Sequence, residues 1–249
     1  MARQKSLLKV EGTLDELTFY KSGDRYLVRT KGGIDGNRIK TDPSFARTRE
    51  NIAEFRNVSK AGKVLRDVFK PIVGGSADSE LISRMVKVLS EIKNLDTTSQ
   101  RGFRKVGIGL NTLEGQKVLL GFSYNSRSVL TQIFSGKLEA DQNTGKITIN
   151  DFIGNEQLRS PESATHVGFQ TMWANIDFES GEQVKGLSTE IVKPLDNVAS
   201  NIVLTPPGPS GTGIYVQVIK LNFYQELNGQ QYLLKNGATS PVEIVFVGS

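Results

Sequence analysis

The feature that most constrains this chain is a change of hydrophobic period near residue 106. Before it, apolar residues recur at Ile52, Phe55, Val58, Ala61, Leu65, Val68 and Ile72, in steps of three and four that draw one apolar stripe along a helix. After it the helical period fades. Glycine, asparagine, threonine and β-branched residues become more frequent, a composition suited to half-buried, pleated strands. A chain that must bury both kinds of surface is predicted to be α+β. The expected division is an N-terminal β-hairpin and connection over 1–41, a helical pair over 42–105, and an antiparallel β-sandwich-like domain over 106–249.

Local signals refine this division. Leu17, Phe19, Tyr26 and Val28 alternate with polar neighbours on either side of Ser22-Gly23-Asp24, which predicts a hairpin. A further strand is expected around 7–10. The stretch 31–41, with Gly32-Gly33 and Gly36, reads as an irregular connection. Asp42-Pro43 reads as a helix start, because Asp accepts exposed first-turn N–H groups and Pro at the first helical position loses no needed donor. Pro71 and Gly74-Gly75 read as its end. The polar face of this helix carries Arg49, Arg56, Lys60, Lys63 and Arg66. A second helix is expected over 78–94, with Leu81, Met85, Val88, Leu89 and Ile92 facing inward, and the short glycine-containing link makes the two an antiparallel pair.

In the remainder, strands are expected over 129–134, 137–140, 146–150, 166–178, 187–192, 202–205, 213–226, 230–234 and 242–247. Asn228-Gly229 is the strongest short hairpin signal in the chain. Within 214–223, Ile214, Val216 and Val218 point one way, while Tyr215, Ile219, Leu221 and Phe223 point the other. A strand apolar on both faces is either central in a layered fold or part of a contact between subunits.

Searching for chemistry leaves little. The chain has no cysteine, which excludes disulfides, thiol nucleophiles and thiolate metal sites. His166 is the single histidine, so neither a zinc set nor a Ser-His-Asp arrangement has support. Gly107-Ile108-Gly109 opens like a dinucleotide fingerprint, but Thr112 stands where the third glycine belongs. The glycine-rich run 208–213 lacks the Lys-Ser or Lys-Thr of a phosphate loop. The pairs Asp15/Glu16 and Asp177/Glu179 read as solvated surface groups. No catalytic residue, cofactor, metal site or small-molecule substrate is therefore expected, and the chain reads as a non-enzyme. Lys9 and Glu11 interrupt the early apolar pair Leu7-Leu8, and no apolar run reaches the roughly 20 residues of a spanning helix. The expected location is the cytoplasm.

Charge is uneven. Residues 1–106 hold 22 Lys+Arg against 13 Asp+Glu, and residues 107–249 hold 9 against 13. The cations Arg25, Arg29, Lys31, Arg38, Lys40, Arg47 and Arg49 cluster around the hairpin and first helix, with Phe19, Tyr20 and Tyr26 among them. Such a set suits either a contact between copies of the chain or a polyanion. The strings Gly12-Thr13-Leu14, Phe19-Tyr20-Lys21-Ser22, Asn37-Arg38-Ile39 and Arg47-Thr48-Arg49-Glu50-Asn51 resemble a bacterial family of unknown function, with a basic hairpin and an Arg-rich helix start before a variable β-rich remainder. The resemblance implies no site residue.

The leading expectation is a structural protein forming a homo-oligomer or polymer, such as a filament, tube, shell or appendage. Its hairpin would add to a neighbour's sheet, aided by charge-complementary halves. The alternatives are a nucleic-acid-binding module that uses the basic half, and a carbohydrate-binding β-sandwich with Trp173 and tyrosines as stacking platforms.

Overall fold

The computed structural model describes residues 2–5, 9–30, 33–234 and 240–249. The chain divides into two compact units, Met1–Glu50 and Asn51–Ser249. The architecture is α+β, with antiparallel pairing throughout its sheets.

In the first unit, strands β1 (Ala2–Arg3), β2 (Gly12–Leu14), β3 (Leu17–Ser22) and β4 (Arg25–Thr30) form one sheet in the order β1-β4-β3-β2. The expected hairpin is β3–β4, and Gly23 turns it at φ 58°. Of the strand expected at 7–10, Leu7 and Leu8 lie outside the described residues. The connection read as irregular instead contains helix α1 (Gly36–Thr41), because Asp35 accepts the Asn37 N–H and supplies an N-cap. Asp42 likewise accepts from Ser44 N, but it starts a 3-10 turn, Pro43–Phe45, and the long helix α2 (Ala46–Val73) begins only after that turn.

In the second unit the apolar stripe of α2 is buried from Val58 onward, through Ala61, Leu65, Val68 and Ile72. Ile52 and Phe55, predicted to share it, are exposed. Pro71 does not end the helix, which runs on to Val73 and stops where Gly74 turns to φ 53°. Helix α3 (Leu81–Asn94) packs back antiparallel. Gly62 faces Met85 and Leu89, and Glu54 pairs with Lys93 near the opposite end.

The chain does not turn to strand at 106. Helices α4 (Val106–Leu110) and α5 (Leu113–Leu119) come first, and the stretch 129–134 forms the short helix α6 (Leu130–Ile133) rather than a strand. Gly109 explains the glycine pattern that looked like a fingerprint: a Cβ there would lie 2.1 Å from the Ile92 carbonyl oxygen, so the residue exists for close approach of α4 to α3. Thr112 caps α5 by accepting from Gly115 N.

Two long strands, β7 (His166–Ile176) and β11 (Ile214–Leu227), pair in unbroken register from Ile176↔Ile214 to His166↔Tyr224. On the outer flank of β7 lie β8 (Gln183–Leu187) and β9 (Ile191–Pro194); on that of β11 lie β12 (Gln230–Leu233) and β13 (Val242–Gly248). The single strand predicted over 187–192 is broken because Ser188 turns into the sheet edge, its Oγ accepting from Thr171 N. Asn228 and Gly229 both adopt positive φ in the β11–β12 turn, as the Asn-Gly signal requires.

The two apolar faces of β11 are buried in different layers. Ile214, Val216 and Val218 join Met172, Ala174 and Ile176 against α2 and α3. Ile219, Leu221 and Phe223 join Val167 and Phe169 against Ile147, Ile149, Ile202 and Leu204. The latter four belong to a second sheet made of β5 (Glu139–Ala140), β6 (Ile147–Phe152) and β10 (Ser200–Leu204). The helical segment therefore shares a core with the β-rich segment within the unit Asn51–Ser249.

Buried carboxylates hold the loops. Asp96 accepts from the N–H groups of Thr98, Ser99 and Lys105 and so bends the chain from α3 toward α4. Burial opposes ionisation of Asp78, but hydrogen bonds from Ser126, Arg84 and Glu80 outweigh it and lower its pKa to about 2. A depressed carboxylate pKa stabilises the fold above the unfolded value near 3.8 and loses that contribution as pH falls toward 2. Thermal denaturation should thus show stability dropping between pH 4 and 2, with a smaller drop in Asp78→Asn, which should also be about 2 kcal/mol less stable at pH 7. Glu243 behaves oppositely: burial raises its pKa, while its carboxylate accepts Leu130 N. Glu243→Gln keeps an acceptor and removes the buried charge, so its melting temperature should exceed that of the parent at pH 7, and the gain should vanish below about pH 4.

Candidate interaction surface

Strand pairing sorts the N-terminal residues by face, since side chains alternate along a strand. The registers Phe19↔Val28, Lys21↔Tyr26, Leu14↔Leu17 and Ala2↔Val28 put these residues on one face. Tyr20↔Leu27, Thr18↔Arg29, Ser22↔Arg25 and Arg3↔Leu27 occupy the other. The first face is thus largely apolar, and the second gathers Arg3, Arg25 and Arg29 around Tyr20.

Neither face is sealed within its own unit. No described residue of the first unit is buried, and Leu14 is 70% exposed. A sheet of this kind ordinarily needs something packed on its apolar side. Lys9 and Lys21 lie over the Tyr26 ring, at 4.6 and 5.7 Å from its centre, and screen one end of that side.

The cations singled out from the sequence have different local partners. Arg25 and Arg29 share a strand face, and the Arg29 guanidinium lies 5.4 Å from the centre of the Tyr20 ring. Arg38 pairs with Asp42 at 3.2 Å and lies over Phe45, while Arg47 pairs with Glu50 at 3.0 Å. Arg49 donates to the carbonyls of Ile39 and Asp42, both at 2.9 Å, and so ties α1 to the start of α2. Lys40 is exposed on α1, and Lys31 lies outside the described residues. Sequence reading missed Leu14 and Arg3, because strands of two and three residues carry too little alternation to reveal a face.

The hairpin's flanks are already partly occupied. β1 pairs with β4 at Leu27 and Val28, and β2 pairs with β3 from Leu17 to Phe19. Strand addition to the bare hairpin, as expected from the sequence, is therefore displaced outward to edges of only two and three residues.

Elsewhere, His166 hydrogen-bonds Thr165 through Nδ1 and approaches Glu226 at 3.5 Å. Trp173 is 4% exposed, and Gly145 stands so close to its ring that a Cβ there would come within 2.1 Å of Cε3. Its indole face is packed rather than presented as a platform. Among the described residues no group of three or more His, Cys, Asp or Glu side chains is placed to hold a metal ion, and no helix is long and apolar enough to cross a membrane.

Comparison with known proteins adds no relative: no family model, curated protein or solved structure matches the chain.

Because Arg49 bridges two helical segments through main-chain carbonyls, Arg49→Ala should raise amide hydrogen exchange across 36–45 severalfold while leaving exchange in β7 and β11 unchanged.

Proposed function

We propose that the chain is a non-catalytic structural protein that self-associates through its N-terminal sheet. The observation that carries this reading is the four-stranded sheet in which the apolar residues Leu14, Leu17, Phe19 and Val28 share one face and no described residue of the unit is buried. Apolar surface left in water is unfavourable by about 25 cal/mol per Å². A second copy of the same face is a fitting cover, because sheets stack face to face about 10 Å apart and this face presents few charges to repel its like. Such a contact is self-complementary and closes on a two-fold axis; growth into a filament or shell would need a second, non-closing contact.

Nucleic acid is the second reading, favoured by the opposite face, where Arg3, Arg25 and Arg29 surround Tyr20. The two readings use different sides of one sheet and separate by mutation.

Light scattering after size exclusion should give a mass of two or more chains for the parent and of one chain for Val28→Asp, which sets a charge in the apolar face. Arg25→Glu with Arg29→Glu should leave the mass unchanged. A parent protein that stays monomeric at high concentration would refute the assembly reading. Retention of a single-stranded oligonucleotide at low salt, lost in the double Arg→Glu variant, would favour the alternative.

A further inference from the structure

The two faces of the N-terminal sheet are tied to one another by geometry. Side chains alternate along each strand, so whatever covers Leu14, Leu17, Phe19 and Val28 lies on the side away from Arg3, Arg25 and Arg29. Two sheets stacked through their apolar faces sit about 10 Å apart, and their cationic faces then point outward in opposite directions. No rotation about the stacking axis changes that result.

The outward face is composed for a polyanion. Arg3, Arg25 and Arg29 are all exposed. None forms an ion pair with a described residue, in contrast to Arg38 and Arg47. The four strands contain no Asp or Glu, so no fixed negative charge within them competes for these cations. Thr18 and Ser22 stand directly opposite Arg29 and Arg25 in the ladder and add hydroxyl donors, which phosphate oxygens accept. Tyr20 lies on the same face, half-buried, with the Arg29 guanidinium 5.4 Å from its ring centre. An aromatic ring among cations suits a single strand, whose bases offer open faces, better than a duplex, whose bases stack on one another.

Resting on the self-association proposed above, we propose that the assembled chain bridges two single-stranded nucleic acids, one held on each outward face. Arg3, Arg25 and Arg29 contact phosphates, and Tyr20 stacks on a base. Strands held outside both sheets are farther apart than the Debye length of about 8 Å at physiological ionic strength, so their mutual repulsion is largely screened. A chain that bound without associating would hold one strand, and a chain that associated without binding would hold none.

Beads carrying an oligothymidylate of about 15 nucleotides should be mixed with the full-length protein and a fluorescent copy of the same strand. The beads should retain the fluorescent strand only in the presence of protein, and calorimetric titration should give one oligonucleotide per chain. With three arginines on each face, the logarithm of the affinity should fall with that of the salt concentration at a slope of about −2. Arg25→Glu with Arg29→Glu should keep the parent mass in light scattering and weaken binding at least tenfold. Val28→Asp and Leu14→Asp should be single chains that retain no fluorescent strand on the beads, even at oligonucleotide concentrations that saturate them. Leu14 is 70% exposed, so its variant should melt at the parent temperature, which separates lost association from lost folding. An associated parent that binds no oligonucleotide, or binds it without bridging, would overturn this proposal and leave the self-association standing. A monomeric parent would overturn both. Equal affinity for a polyphosphate of the same charge, with no loss of oligonucleotide binding in Tyr20→Leu, would assign the face to a polyanion without bases and would also overturn the proposal.

Discussion

The rest of the second unit depends on the ladder between β7 and β11. Eleven residue pairs run in continuous antiparallel register, and each strand is apolar on both faces for much of its length. Such a pair is stable only if both sides are covered. The chain meets that demand unequally: the helices cover the half containing Met172–Ile176 and Ile214–Val218, and the small sheet covers the opposite face at Val167, Phe169, Ile219, Leu221 and Phe223. This diagonal covering also leaves the far end of the second face, around Trp173 and Tyr215, bordered by the loops at 142–143 and 208–210 and by residues of α5 and β13 instead of by a full layer.

Much of this was legible in the sequence, and the parts that were not share a cause. The alternation in 214–223 marked a strand apolar on both faces, central in a layered fold or at a contact between subunits, and Asn228-Gly229 located its hairpin, because both signals are set by local backbone and side-chain geometry. The helices at 106–119 escaped notice because they are short and their glycines serve contact rather than flexibility. Gly109 touches the Ile92 carbonyl and Gly115 touches that of Gly109, and no periodicity records such tertiary demands. Ile52 and Phe55 continued a helical stripe in sequence beyond the point where the core continues in space. Unpartnered atoms such as Trp173 Nε1 depend on what every neighbour fails to supply, so no motif could have announced them.

The basic cluster teaches a related lesson. Counting cations around 25–49 suggested one electropositive surface, yet Arg38, Arg47 and Arg49 are engaged in local bonds at helix starts, and only Arg25 and Arg29, joined by Arg3, share a strand face. Their residue type suited a polyanion, but their partners show that several of them stabilise a turn. The first unit is thereby two-sided, with cations around a tyrosine on one side and aliphatic and aromatic groups on the other. The proposed assembly and its nucleic-acid alternative correspond to these two sides.

In the large unit, each outer flank of the central pair is split between two short strands, with β8 and β9 on one side and β12 and β13 on the other. Unsatisfied strand margins are templates on which foreign or misfolded chains can nucleate, and their hazard grows with uninterrupted length. Here each of these four strands ends within seven residues, and β8 is parted from β9 at Ser188, whose Oγ accepts from Thr171 N. Little continuous main-chain margin is thus left on either flank for another strand to pair along.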